Sequence, residues 1–94
     1  MLFEWDESKN RANILDHGIE LAFGKLVFKD KQVLDFADER FDYGEERRVA
    51  IGKVARRYVV TVYTMRAEVC RLISVRFATA KERGKYDEYC ANDI

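Results

Sequence analysis

An α+β domain, built on an antiparallel sheet with helices packed mainly on one face, is what the sequence predicts. Three observations carry that prediction. Four segments between Val33 and Phe77 carry strand patterns, three with apolar residues at a period of two and one, Tyr58 to Met65, apolar on both parities, separated by polar turns or loops. Each end of the chain carries a helical signal instead: Asp6 and Gly18 bracket one segment, and Thr79 precedes another. The 94 residues suffice for one small domain and not for two.

Phe3-Glu4-Trp5 reads as a short strand with Phe3 and Trp5 on one face. Asp6 is an N-cap for a helix from about Glu7 to His17, with Glu7 in its first turn and Gly18 at the left-handed C′ position. Ala12, Ile14 and Leu15 are its expected apolar stripe. Glu20 to Phe28 reads as a second, shorter helix burying Leu21, Gly24, Val27 and Phe28; Phe23 and Leu26 point elsewhere, toward a partner surface. Gly24 weakens a helix but permits close packing.

Val33-Leu34-Asp35-Phe36 opens the sheet, and 38–46 reads as an acidic loop carrying Phe41, Tyr43 and Gly44. Arg47 to Lys53 is the next strand. Val49 and Ile51 face the core, and Arg48, Ala50 and Gly52 line an open face with room for something to lie on it. Lys53 to Arg57 is a basic hairpin turn, and Tyr58 to Met65 is apolar on both parities, as a central strand should be. After a turn at Arg66-Ala67-Glu68, Val69 to Phe77 is the last strand; Thr79 to about Tyr89 is the closing helix. The result is a four-stranded antiparallel sheet plus a short N-terminal strand, two N-terminal helices and a C-terminal helix.

Hydrophobic residues make up 48% and charged residues 36%, which fits a chain with one core rather than a disordered one. The opening residues lack the basic n-region and apolar run of a signal peptide, so a cytoplasmic protein is expected, with no membrane partner. Cys70 and Cys90 read as reduced thiols. With His17 the lone histidine, no metal site is expected, nor any cofactor.

The zero net charge hides a segregation. Residues 1–46 hold 6 Lys+Arg against 12 Asp+Glu; residues 47–85 hold 11 against 2; residues 86–94 hold none against 3. A segment at +9 attracts polyanions, unless the acidic segments fold over it and pair with it. Its focus is the corner where the strand ending at Phe77 turns into the basic helix carrying Lys81, Arg83, Lys85 and Tyr86. By strand parity, Val69, Arg71, Ile73, Val75 and Phe77 share a core-facing side. Ser74 and Arg76 fall on the open face with Arg48. Arg71 then needs a carboxylate partner such as Asp16, unless a bulge re-aims it or it contacts phosphate.

Three blocks of residues, in order, resemble the BrnT toxin family. The first is Phe3-Glu4-Trp5-Asp6 with Lys9, then Asn13 and His17-Gly18-Ile19. The second is Asp38-Glu39-Arg40, then Tyr43-Gly44-Glu45-Glu46-Arg47 running into Ala50-Ile51-Gly52. The third is Val62-Tyr63-Thr64, then Arg71 through Thr79 and Glu82-Arg83. The resemblance spans Phe3 to about Tyr89. It implies a RelE-like fold and a ribonuclease toxin of a type II toxin–antitoxin system that arrests growth. It also implies a BrnA-like antitoxin, a small DNA-binding protein of ribbon–helix–helix type, whose hetero-oligomeric complex with the toxin binds its own operator. Two departures stand out: Ala22 and Phe23 where acidic residues are common, and Phe77 where a basic residue is common.

The expected chemistry is metal-free attack of an RNA 2′-OH on the adjacent phosphate. Arginine suits it, because a planar, permanently charged fork grips phosphate oxygens in pairs. Arg76 is the expected clamp, supported by Arg47 or Arg48 and by Lys81, with Ser74, Arg71 and Arg83 also toward substrate. His17 either moves protons or simply closes its helix, and Tyr86 is the other proton carrier. Tyr63 is either a stacking platform for a base or a core residue. The rival class is a non-catalytic module that only binds RNA or an acidic partner; an inactive remnant is a third.

Overall fold

The computed structural model of the chain describes residues 1–40, 42 and 44–92; Phe41 and Tyr43 of the expected loop lie outside the described residues. In chain order the elements are β1 (Leu2–Glu4), α1 (Glu7–His17), a 3₁₀ segment (Leu21–Lys29), β2 (Leu34–Asp38), β3 (Arg47–Val54), β4 (Arg57–Arg66), β5 (Val69–Phe77) and α2 (Ala80–Ala91). They form a mixed five-stranded sheet in the order β1-β5-β4-β3-β2, in which only β1 runs parallel to its neighbour. The α+β class holds, with three helical segments as expected, and is consistent with a RelE-like fold. No helix among the described residues is long and apolar enough to cross a membrane.

The helix signals act as read. The Asp6 carboxylate accepts from the Ser8 and Lys9 amides, and Gly18 ends α1 at φ 71°. The stripe is different. Leu15 is 87% exposed and Ala12 and Ile14 are exposed too, while the residue that α1 buries is Asn13. The reason lies in β5, whose outer edge β1 covers only from Val69 to Arg71. Farther along, Asn13 substitutes for a strand: its amide donates to Val75 O at 2.9 Å and Ile19 O at 2.8 Å, and its oxygen accepts from Val75 N at 3.0 Å. A buried edge left without such a partner would strand polar groups.

The second helix is a 3₁₀ helix, and its buried residues Leu21, Gly24 and Val27 follow the three-residue repeat of that form. Phe23 packs on the core rather than facing a partner. A side chain at Gly24 would meet Val75 Cγ2 at 2.8 Å and Thr61 Oγ1 at 2.9 Å, so glycine lets the segment lie on the sheet. The face expected to be open is therefore occupied. Ala50 is fully buried beneath Leu21 and Val27, and a Cβ at Gly52 would approach Val27 O to 3.0 Å.

The opposite face of the sheet packs under α2, where Val49, Ile51 and Val60 meet Tyr86. Helical elements thus cover both faces, not mainly one. One carboxylate ties them together. Asp30, just after the 3₁₀ segment, accepts from Lys53 N at 2.8 Å beside the start of β2, and from the Tyr86 hydroxyl of α2.

A bulge explains the remaining difference. Val62 pairs with Ser74 and Tyr63 with Leu72, leaving Ile73 unpaired between them. Side-chain parity along β5 therefore switches at that point: Cys70, Leu72 and Val75 all join the 3₁₀-side core. Cys70 and Cys90 are both free thiols, and burial pushes the Cys70 thiol up to about 11.

Candidate nucleic-acid interface

The strand-to-helix corner forms where Phe77 ends β5 and Thr79 starts α2 with a full capping box: its hydroxyl accepts from Glu82 N, and the Glu82 carboxylate accepts from Thr79 N. Arg76 joins that box. Its guanidinium donates to both Glu82 oxygens, at 2.6 and 2.8 Å, which holds the carboxyl down at about 2 and raises the guanidinium further. Arg76, Arg40 and Lys85 line a small cavity of about 260 Å³ between α2 and the sheet, together with Asp38, Glu39 and Glu82.

Arg48 does not share a face with Arg76, because the register puts Arg48 opposite Tyr63 and Arg76 opposite Val60. It is also occupied, with Glu46 and Asp35 each at 2.9 Å, and both raise its pKa. Arg71 pairs with Glu4 of β1 at 3.5 Å, not with Asp16. Arg66 pairs with Glu45 at 3.5 Å and Arg40 with Asp38 at 2.9 Å. The acidic first half does fold against the basic half at Arg48, Arg66 and Arg71.

The other expected residues are dispersed. Arg47 is half-buried at the start of β3, opposite Asp38. Ser74 is half-buried and its carbonyl accepts from Thr61. His17 is exposed at the end of α1, and α1 packs on β5 and the 3₁₀ segment. Tyr63 is 4% exposed, edge-on to Phe28, with its hydroxyl on Asp35; the structure makes it a core residue. Tyr86 is 3% exposed with its hydroxyl on Asp30. Burial and then the carboxylate raise the pKa of both phenols. Lys81 and Arg83 are exposed on the first turn of α2.

A different group of cations converges. Arg56, Arg57 and Arg83 line a groove of about 400 Å³ with Tyr58, Phe77 and Ala78, at the end of the sheet where the β3–β4 hairpin faces the corner. None of the three has a carboxylate within ion-pair distance among the described residues. Arg57 lies over Phe77 at 3.9 Å from the ring centroid. Tyr58 donates to Asp87 at 2.8 Å.

Of these residues the sequence reading names only Arg83 as a site residue. The signal for the other two was present: adjacent arginines in a tight hairpin, with the strand that leaves it pairing with the end of β5. The turn that presents Arg56 is strained, with φ of 49° at Ala55 and 71° at Arg56, where a two-residue hairpin usually carries Asn-Gly.

No cluster of three or more His, Cys, Asp or Glu that could hold a metal ion occurs among the described residues. A comparison with curated proteins finds no match. The family model described as the ribonuclease toxin BrnT of type II toxin–antitoxin systems matches residues 5–82. That span takes in the sheet from β2 to β5, the hairpin arginines, Phe77 and the Arg76–Glu82 pair. A match over so much of the chain makes it a member of the BrnT toxin family.

Proposed function

We propose that this chain is a cytoplasmic ribonuclease toxin. It cleaves RNA without metal, stops translation and growth, and is neutralised by a ribbon–helix–helix antitoxin in a hetero-oligomeric, operator-binding complex. The observation that carries the catalytic reading is the groove of Arg56, Arg57 and Arg83, which lack carboxylate partners among the described residues. Family membership gives that groove its context. Arginines held beside carboxylates are largely neutralised already; unpaired ones offer the field that a phosphate chain needs.

In the proposed reaction the RNA 2′-oxygen bonds to the adjacent phosphorus and the P–O5′ bond breaks. The products are a 2′,3′-cyclic phosphate and a 5′-hydroxyl. The 2′ proton leaves to water. The departing O5′ takes a proton from solvent water in the open groove. The arginines hold the phosphate in line and offset the charge that builds on its oxygens. Arg76 acts one step back: by tying Glu82 it fixes the first turn of α2 and so the place of Arg83.

The test is cleavage of purified messenger RNA by the purified chain, with and without ribosomes and with a chelator present. Cyclic-phosphate ends that disappear in the Arg56→Gln/Arg83→Gln variant are the expected result. RNA left intact in every condition overturns the reading. One observation favours the rival binding module: both Tyr63 and Tyr86 have their hydroxyls committed to carboxylates in the interior. That rival predicts RNA that is bound but never cut.

A further inference from the structure

The groove contains an exposed aromatic ring that phosphate binding leaves unused. Phe77 is 38% exposed at the end of β5, opposite Val59. Arg57, two residues before Val59 on β4, covers the ring with its guanidinium. A single exposed apolar side chain is ordinary. A ring set among three arginines that have no carboxylate partner among the described residues is a different surface, one that joins a cationic track to an aromatic platform. Unpaired nucleic-acid strands are held by that combination, because their bases have free π-faces. A duplex keeps its bases stacked inside, so the ring would gain nothing from it.

We propose that Phe77 and Arg57 form a stacking platform for an unpaired base, with Arg56 and Arg83 holding the flanking phosphates. The groove then selects single-stranded over double-stranded RNA. This rests on the RNA-binding part of the reading above and not on cleavage.

Fluorescence anisotropy with a labelled 2′-O-methyl oligonucleotide tests it, since such a strand lacks the attacking hydroxyl and stays intact. The wild-type chain is expected to bind the single strand about tenfold more tightly than the same strand in a duplex. Phe77→Ala is expected to remove that preference through loss of single-strand affinity, with an unchanged salt dependence and urea midpoint; Phe77→Trp restores it. Arg83→Gln is expected to lower affinity for both forms and reduce the salt slope by about one. Equal affinity for the two forms, or a Phe77→Ala variant that binds as wild type does, overturns the platform. So does an oligonucleotide that fails to bind while an acidic peptide does. Platform binding without cleavage of unmodified RNA would overturn the ribonuclease reading alone.

Discussion

Arg76 grips both oxygens of Glu82, and one of those oxygens also accepts the Thr79 amide that starts α2. The residue expected to clamp substrate is thereby part of a helix cap. A double-mutant cycle of Arg76→Ala and Glu82→Gln is expected to show a coupling of about 1–2 kcal/mol in stability. The pH dependence has a definite sign. Glu82 is held at about 2 in the fold against an ordinary 4.5. Its contribution is fully present above the ordinary value and is lost as pH falls through the folded one. Urea midpoints between these two pH values should fall for the wild type and stay flatter for Glu82→Gln. Parallel loss in both would remove the pair from the account.

Asn13 supplies a second prediction, because its amide completes the open edge of β5. Asn13→Leu adds apolar surface yet leaves the Val75 amide and carbonyl and the Ile19 carbonyl without partners. The expected loss is about 3 kcal/mol or more by urea denaturation, since each of the three stranded buried groups costs roughly 1–3 kcal/mol. A variant as stable as wild type would mean that another group covers the edge.

These two residues mark where the sequence was legible. Caps were, because Asp6, Gly18 and Thr79 act through neighbours within three or four residues. The antiparallel run of β2 to β5 and the central place of β4 were as well, since strand patterns separated by polar turns imply them, whereas the parallel pairing of β1 with β5 was not. The role of Asn13 was not, because its partner Val75 is 62 residues away. The faces of β5 were misread for a related reason: the bulge at Ile73 is set by pairing with β4, and no local pattern announces it. Arg48 and Arg76 were grouped on one face by parity alone, and the groove was missed because Arg57 and Phe77 meet across two strands.

Gly24 gives a prediction opposite in sign to helix propensity. Replacing an interior helical glycine by alanine ordinarily stabilises by about 1 kcal/mol. Here the added methyl would sit within 3 Å of both Val75 and Thr61, whose side chains are fully buried. Gly24→Ala is expected to cost about 1–3 kcal/mol through overpacking. A raised melting temperature in thermal unfolding would show that the 3₁₀ segment can lift off the sheet.

Arg56 ties strain to the proposed activity. It occupies the second position of the β3–β4 turn with φ 71°, after Ala55 at 49°. A left-handed conformation costs a non-glycine residue about 1 kcal/mol, and glycine is the residue that such turns prefer there. Arg56→Gly is therefore expected to raise stability by about 1 kcal/mol while lowering RNA affinity and reducing the salt slope by about one. The two effects must move in opposite directions in the same variant, read by urea denaturation and by binding at several salt concentrations. Ala55→Gly is the control, relieving strain without removing a cation, so it should gain stability and keep its affinity. If Arg56→Gly gains stability and binds RNA as tightly as wild type, the strained turn is not kept for the sake of its arginine, and the phosphate contact belongs to Arg57 and Arg83 alone.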